Sequence, residues 1–275
     1  MKYQQIKLKN RGYGKQIPLL SAYIQDTINV DSQFQRPAVI ICPGGGYEFT
    51  TNREGEPIAL AFLEKGYQAF VLDYTIIDND ETQELLPYPF YDLAYAIYHV
   101  RKHYKEYAID PNHISIIGFS AGGHLCATYS HMYAQDWFTQ KMGYTKEGIK
   151  PNHMILCYPV IDMTLGWPKT IEQTHKITKH PESYKAQYLV SQDTPPTFIW
   201  HTVSDNGVPI TNTMAFVQAL IEHHIDHEVH TFHLGNHGLS LATSQSAKRL
   251  TEDYINPHVA KWFDIMIDWL NDQHQ

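Results

Sequence analysis

The sequence contains few cysteines, and their number argues against a protein held together by disulfides. Three occur among 275 residues, Cys42, Cys126 and Cys157, and all of them stand in apolar surroundings. An odd number of cysteines without paired spacing is typical of buried free thiols in a reducing compartment. We therefore expect no disulfide framework.

Two further absences limit the cellular setting and the class of partner. No apolar run approaches the roughly 20 residues of a membrane-spanning helix, and residues 1–7 lack the apolar core of a signal peptide. We expect a cytoplasmic protein that does not insert into a membrane. The formal net charge of −8 argues against nucleic acid or an anionic membrane surface as a partner. The sequence carries no signal for an oligomeric state.

Signatures of metal and phosphate binding are also missing. His223 and His227 share helical i, i+4 spacing, but no glutamate or third ligand completes a zinc pattern. The glycines at 44–46 are not followed by the Gly-Lys-Ser/Thr of a phosphate-binding loop. We therefore predict no metal and no cofactor.

The apolar pattern predicts one large α/β domain over residues 1–275. Apolar residues make up 43% of the chain, which is enough for a sizeable core. Strands that alternate with helices indicate a mostly parallel central sheet with helices on both faces. Two N-terminal strands are predicted to form an antiparallel hairpin at a sheet edge. A small helical insertion, which could act as a cap, is predicted at about 162–193. The other strands are predicted at 38–42, 68–73, 114–118, 153–158, 197–200 and 228–234.

The sequence Gly-x-Ser-x-Gly at 118–122 lies between a predicted strand and a predicted helix. A serine at such a tight turn presents its hydroxyl above the sheet, and the flanking glycines allow neighbouring backbone to pass close by. The new helix also directs unpaired N–H groups toward whatever the serine attacks. The pattern predicts Ser120 as a nucleophile.

A serine hydroxyl needs a base within hydrogen-bond reach, and the base needs an orienting carboxylate. In open α/β sheets such groups gather at the carboxyl ends of the strands. Asp205 directly follows the predicted strand at 197–200, and His237 directly follows the last predicted strand. The chain order Ser120, Asp205, His237 is that of α/β-hydrolases. We predict that these three residues form a catalytic triad, although alone Asp205 could serve as a turn or helix-start residue.

Other histidines and acids fit these roles less well, because none of them directly follows the end of a predicted strand. They are His223, His224, His227, His230, His233, Asp193 and Asp226.

A glycine triplet follows the strand at 38–42 and predicts an oxyanion hole. Preorganised N–H donors stabilise the negative oxygen that forms when an ester is attacked. Gly45 and Gly46 can present unobstructed backbone N–H groups, and Ala121, just after the serine, supplies another. The alternative interpretation is a plain flexible loop.

These motifs together resemble the α/β-hydrolase esterases close to the hormone-sensitive-lipase and bacterial acetyl-xylan-esterase-like groups. The resemblance rests on Gly-Phe-Ser-Ala-Gly-Gly-His-Leu at 118–125, Pro-Gly-Gly-Gly-Tyr at 43–47, Asp-x-x-Val-Pro at 205–209 and Gly-x-His-Gly at 235–238. It runs from about residue 38 to the C-terminus and implies an α/β-hydrolase fold and a serine esterase. The sequence departs from the group's pattern in two places. Pro43 stands where a histidine is usual, and Thr75 stands where an arginine is expected.

We predict a serine carboxylic-ester hydrolase for small-molecule esters with short acyl groups, acetyl above all. The predicted insertion is too small and too polar to build a long acyl channel. Its aromatic residues either pack it onto the sheet or stack against a sugar or aryl leaving group, and the second interpretation makes an acetylated carbohydrate a reasonable candidate substrate. Two alternatives stay open. One is an amidase or arylformamidase-like hydrolase that uses the same triad, and the other is a non-catalytic binding protein on a hydrolase scaffold.

Overall fold

The apolar runs of the sequence form the centre of one eight-stranded sheet. The structure is a computed structural model that describes residues 1–26, 34–248 and 252–273. The strands are β1 (Lys2–Lys7), β2 (Leu19–Ile24), β3 (Arg36–Cys42), β4 (Gln68–Asp73), β5 (Ile109–Phe119), β6 (His153–Cys157), β7 (Thr197–Thr202) and β8 (His227–Phe232).

The strand order is β1-β2-β4-β3-β5-β6-β7-β8. Strands β1 and β2 form the predicted antiparallel hairpin at one edge, and β2 pairs antiparallel with β4. From β4 through β8 every neighbouring pair is parallel. The predicted mostly parallel sheet is therefore confirmed, and its parallel strands end at a common edge.

Two buried clusters cover the two faces of the sheet, as predicted. The alternating residues of β3 show why that strand is a continuous apolar run. Val39 and Ile41 pack into one cluster, while Ile40 packs into the other. The covering helices are α1 (Glu56–Glu64), α2 (Tyr88–Lys102), α3 (Ala121–Met132), α4 (Asp136–Met142), α5 (Lys146–Ile149), α6 (Ile171–Ile177), α7 (Thr211–Glu222) and α8 (Trp262–Asp272).

The structure differs from the sequence-based expectations at several element boundaries. Helices α4 and α5 were not predicted, because segments this short carry little periodicity. Strand β5 begins at Ile109, five residues before the predicted start, and its register against β3 shifts between Arg36 and Ala38. The proline at 111 is accommodated at this irregularity.

The segment predicted as an insertion contains α6 and two 3-10 turns, Pro181–Tyr184 and Ala186–Tyr188. Backbone hydrogen bonds attach it to the start of α2, since the amide of Leu86 donates to the carbonyl of Ile177 at 2.9 Å. The segment lies beyond the carboxyl end of β6 and therefore on the side of the sheet where the predicted site residues gather.

Thr75, where the resemblance implied an arginine, binds a buried carboxyl group. Its amide and its hydroxyl both donate to Oδ2 of Asp92 in α2, at 2.8 and 2.6 Å. Burial raises the pKa of Asp92 to about 7, although the two hydrogen bonds from Thr75 act in the opposite direction. The arginine is thus replaced by neutral donors to a carboxyl group that is reluctant to ionise.

We predict that Asp92→Asn removes a pH-dependent loss of stability. The folded-state pKa of about 7 lies above the ordinary value of 3.8. The stabilisation is therefore complete below about pH 4 and is lost as the pH rises through about 7. Asparagine cannot ionise, yet its carbonyl can still accept from Thr75. Urea titrations should show the variant more stable than the unmodified protein at pH 8, by up to about 4 kcal/mol.

That difference should close as the pH falls toward about 4. A stability difference that is the same at pH 8 and at pH 4.5 would contradict the assignment of this pH dependence to Asp92.

Candidate active site

Ser120 sits at the turn between β5 and α3 in a strained backbone conformation. Its φ of 53° and ψ of −116° lie in a region that residues with side chains rarely adopt. The turn is tight because backbone segments touch there. A Cβ atom on Gly118 would collide with the carbonyl of Gly122, and one on Gly122 would collide with that of Cys42. The two glycines of the motif are therefore required by close approach.

The structure brings together the three residues predicted as a triad. Ser120 Oγ lies 2.8 Å from Nε2 of His237, and Nδ1 of His237 lies 2.7 Å from Oδ2 of Asp205. Gly207 permits this approach, since a Cβ there would lie 2.7 Å from the Cβ of His237. The result is one hydrogen-bonded chain from a buried carboxylate to the serine hydroxyl.

Asp205 is held as an anion by its donors. Burial alone would raise its pKa, but hydrogen bonds from His201, His237 and the amide of Val208 bring the pKa well below its usual range. Oδ1 accepts the amides of Gly207 and Val208 at 2.8 and 2.9 Å. An ionised Asp205 accepts a hydrogen bond from the Nδ1–H of His237. In this tautomer Nε2 carries no proton and directs its lone pair at Ser120.

His201 is a site residue that the sequence analysis did not single out. It is fully buried in β7, and its Nε2 lies 3.3 Å from Oδ2 of Asp205. The same Nε2 lies 3.0 Å from the carbonyl of Val208, while Nδ1 contacts the hydroxyl of Thr213 at 2.8 Å. A carbonyl can only accept, so Nε2 carries the proton and Thr213 donates to Nδ1. Nothing local distinguishes this histidine from the others of the chain.

The glycine loop after β3 offers unpaired amides beside the serine. Gly45 and Gly46 have positive φ angles of 131° and 66°. Within the described part of the chain, their amides donate to no protein acceptor. Ala121 is the first residue of α3, so its amide is also free of intrahelical bonding. Gly45 and Gly46 line the cavity that Ser120 lines.

Glu54 braces this loop and was likewise missed by the sequence analysis. Its buried carboxyl accepts the amide of Gly44 at 2.8 Å and the hydroxyl of Tyr158 at 2.6 Å. That hydroxyl accepts the amide of Ser240 at 2.9 Å, and the Tyr158 ring packs edge-on against His237 with centroids 5.2 Å apart. Only the tertiary structure brings these groups together.

Backbone contacts hold the glycine loop in place although Pro43 stands where the resemblance implied a histidine. The carbonyl of Pro43 accepts the hydroxyl of Tyr74 at 2.6 Å, and the amide of the next residue, Gly44, binds Glu54. Both contacts fix main-chain atoms and need no side chain at position 43. The loop is therefore held in place without the histidine that the resemblance implied.

A cavity of about 360 Å³ opens beside Ser120. Trp167 from the predicted insertion forms part of its wall, and the Trp167 ring lies 3.5 Å from where a Cβ on Gly46 would stand. Gln173 from α6 donates to Glu48 at 3.1 Å and joins the insertion to the glycine loop. The cavity is lined by Gly45, Gly46, Glu48, Phe49, Thr51, Arg53, Glu54, Ser120, Trp167, His237, Gly238, Lys248 and Tyr254.

Residues 1–26, 34–248 and 252–273 contain neither a metal-binding cluster nor a membrane-spanning helix. No group of three or more histidine, cysteine or acidic side chains in these ranges is arranged to hold a metal ion. Among the helices of the same ranges, none has the length and apolar character needed to cross a bilayer.

The strand order and the place of the serine between β5 and α3 define the class of the protein as an α/β-hydrolase. Within that class the chain belongs to the BD-FAE family, whose sequence model matches residues 27–220. The resemblance to α/β-hydrolase esterases stated from the sequence is confirmed by this match and by the relatives that follow.

The chain is similar over its whole length to the carboxylesterase Cest-2923 from Lactobacillus plantarum WCFS1. The two are 32% identical, the match covers 100% of this chain and 98% of that one, and the TM-score is 0.92. The expected fold is thereby confirmed.

Two curated relatives are longer than this chain. Endo-1,4-beta-xylanase B from Butyrivibrio fibrisolvens is 32% identical over 235 residues, which is 83% of this chain and 36% of the relative. An acetylxylan esterase from Xylanibacter ruminicola is 29% identical over 221 residues, with 75% of this chain and 42% of the relative covered. The chain thus spans less than half of the length of either protein.

We predict that Glu54→Ala destabilises the fold by about 2–4 kcal/mol, because the Gly44 amide and the Tyr158 hydroxyl would be buried without an acceptor. Glu54→Gln keeps one carbonyl acceptor and should cost less. Urea unfolding at neutral pH measures both. Glu64→Ala is the matched control, since Glu64 is an exposed glutamate near the end of α1. If Glu54→Ala were as stable as this control, Glu54 would not brace the loop.

Proposed function

We propose that the protein is a serine carboxylic-ester hydrolase for short acyl groups, acetyl above all. The observation that carries this proposal is the hydrogen-bonded chain Asp205–His237–Ser120 beside a small cavity, with contacts of 2.7 and 2.8 Å. Its continuity argues against a non-catalytic binding protein, which would have no need to place all three groups.

In the proposed acylation step, Ser120 Oγ bonds to the acyl carbon while His237 Nε2 takes the hydroxyl proton. The carbonyl oxygen becomes negative and is bound by the amides of Gly45, Gly46 and Ala121. Each such donor lowers the barrier by about 3–4 kcal/mol. The bond to the alcohol then breaks, and protonated His237 gives its proton to the departing oxygen.

Water completes the reaction. His237 takes a proton from a water molecule, whose oxygen attacks the acyl-serine, and the same oxyanion donors bind the second intermediate. The Ser120–acyl bond breaks, the serine regains its proton from His237, and the carboxylic acid leaves. Asp205 stays ionised throughout and stabilises the imidazolium, so these steps need no cofactor.

Cavity size and relatives support an acetylated carbohydrate as the substrate. A space of about 360 Å³ suits a small acyl group and one sugar-sized alcohol. Phe49 and Tyr254 from the main domain and Trp167 from the insertion give it aromatic walls on which a sugar ring can stack. One relative is named an acetylxylan esterase, and we infer a substrate of that class for this chain.

The cellular setting and the domain organisation are further parts of the proposal. All three cysteines are buried and free, which supports a reducing, cytoplasmic compartment. The chain is proposed to be one domain over 1–275, with residues 162–193 as a small cap-like segment over the site.

We predict that Ser120→Ala loses esterase activity by at least about 100-fold, because the nucleophile is gone. The readouts are p-nitrophenyl acetate hydrolysis and labelling by a fluorophosphonate followed by intact-mass measurement. Ser183→Ala is the control, since Ser183 is an exposed serine of the insertion. Labelling that persists in the Ser120→Ala protein would assign the nucleophile elsewhere.

We predict that kcat/KM is greatest for acetyl or butyryl among p-nitrophenyl acetate, butyrate, octanoate and palmitate. A long apolar channel would add about 0.8 kcal/mol for each buried methylene, but the cavity beside Ser120, with Trp167 in its wall, measures only about 360 Å³. Trp167→Ala should shift the optimum toward longer chains. A maximum at octanoate in the unmodified protein would refute the short-acyl proposal, and faster turnover of an aryl formamide would favour an amidase.

A further inference from the structure

Two cationic side chains lie against one aromatic ring that lines the cavity. The guanidinium carbon of Arg53 lies 4.4 Å from the centroid of the Tyr254 ring, and Nζ of Lys248 lies 4.9 Å from it. All three residues line the cavity that contains Ser120. Like charges this close repel each other, and the formal net charge of the chain is −8. The local positive charge is therefore a feature of the site and not of the surface as a whole.

Arg53 is held in place but has unused donors. Its Nε donates to the carbonyl of Ser246 at 2.6 Å, and its Nη2 is buried without a hydrogen-bond partner. Nη1 lies 3.9 Å from where a Cβ on Gly238 would stand, next to His237. The guanidinium is thus fixed by one neutral carbonyl and by a ring, neither of which neutralises its charge.

The acidic groups of the cavity already have other partners. Glu54 neighbours Arg53 in the chain and interacts electrostatically with it, but the two side chains form no ion pair, and the oxygens of Glu54 accept from Gly44 and Tyr158. Glu48 accepts the side-chain amide of Gln173. Among the ion pairs of the described residues, none involves Arg53 or Lys248. An anion from outside the chain would complete this arrangement.

We propose that Arg53, assisted by Lys248, binds a carboxylate carried by the alcohol part of the ester substrate. This inference rests on the proposed function. The acyl oxygen is assigned to the amides of Gly45 and Gly46, whereas His237 protonates the leaving alcohol. Nη1 of Arg53 lies near Gly238, the residue that follows His237, so we assign it to the alcohol side, where His237 gives up its proton. A guanidinium that has no acidic partner in an ion pair and lines the cavity is suited to bind a carboxylate.

The test compares two acetyl esters of nearly identical shape, 4-acetoxybenzoate and 4-acetoxybenzamide. Each kcat/KM is divided by the rate constant of the same ester in alkaline buffer without protein, which removes the difference in leaving-group reactivity. The unmodified protein should prefer the anionic ester by about tenfold at low ionic strength. Added sodium chloride should reduce this preference, because salt screens partly exposed charges.

Variants test whether the preference for the anionic ester depends on the guanidinium of Arg53. Arg53→Gln should abolish most of it, Arg53→Lys should keep part of it, and Lys248→Gln should weaken it. Lys105→Gln is the control with the same change in charge, because Lys105 is exposed and lies 5.7 Å from the Tyr104 ring centroid, outside the cavity lining. If Arg53→Gln fails to fold, the reduced preference of Arg53→Lys provides the same test.

A binding measurement separates this inference from the proposed function. Calorimetry with the product 4-hydroxybenzoate, compared with 4-hydroxybenzamide, reports the anion site without turnover. Arg53-dependent binding without any hydrolysis would support the anion site while the proposed function fails. Hydrolysis of both esters without a charge preference would overturn the inference and leave the esterase standing. A preference for p-nitrophenyl succinate over its succinamate analogue, with none on the alcohol side, would overturn it too.

Discussion

The arrangement of the site depends on one buried carboxyl group, that of Glu54. It accepts the amide of Gly44 in the glycine loop and the hydroxyl of Tyr158 at the end of β6. Tyr158 in turn binds the amide of Ser240 and packs on the ring of His237. The loop that carries the proposed oxyanion donors and the loop that carries the proposed base are thus fixed to a common point. A shift of either loop would leave a buried polar group unpaired, which is costly in a low-dielectric interior.

Close backbone contacts around Ser120 act together with the hydrogen bonds of Glu54. Because the glycines at 118 and 122 have no side chain, the backbones of β5, α3 and the end of β3 can come into direct contact. That approach places the start of the glycine loop next to the serine, and Glu54 then fixes the loop from the other side. Strain at Ser120 is therefore sustained by contacts on both sides of the turn, as expected where surrounding structure over-determines an unfavourable conformation.

Much of this arrangement could be predicted from the sequence because it is local. Ser120, Asp205 and His237 each follow a strand, and parallel strands deliver such residues to one edge of a sheet. Glu54, His201 and Arg53 could not be predicted in this way. Their partners lie in distant segments of the chain. Nothing in the sequence distinguishes a buried glutamate from one on the surface. The short helices α4 and α5 could not be predicted for a different reason, because they contain too few turns to show a helical periodicity.

Three buried acids show how the fold places charge where the proposed chemistry needs it. Asp92 and Glu54 each receive one hydroxyl and one backbone amide, and for both the cost of burial prevails and raises the pKa. Asp205 receives two imidazole N–H groups as well as backbone amides, and for it the donors prevail and lower the pKa. Asp205 thus has four N–H donors, whereas Asp92 and Glu54 have two donors each, and hydrogen bonds to the charged form of a carboxyl favour that form. The difference between a structural carboxyl and a charged one is thus set by the balance between burial and hydrogen-bond donors, and for Asp205 one of these donors is the proposed base itself.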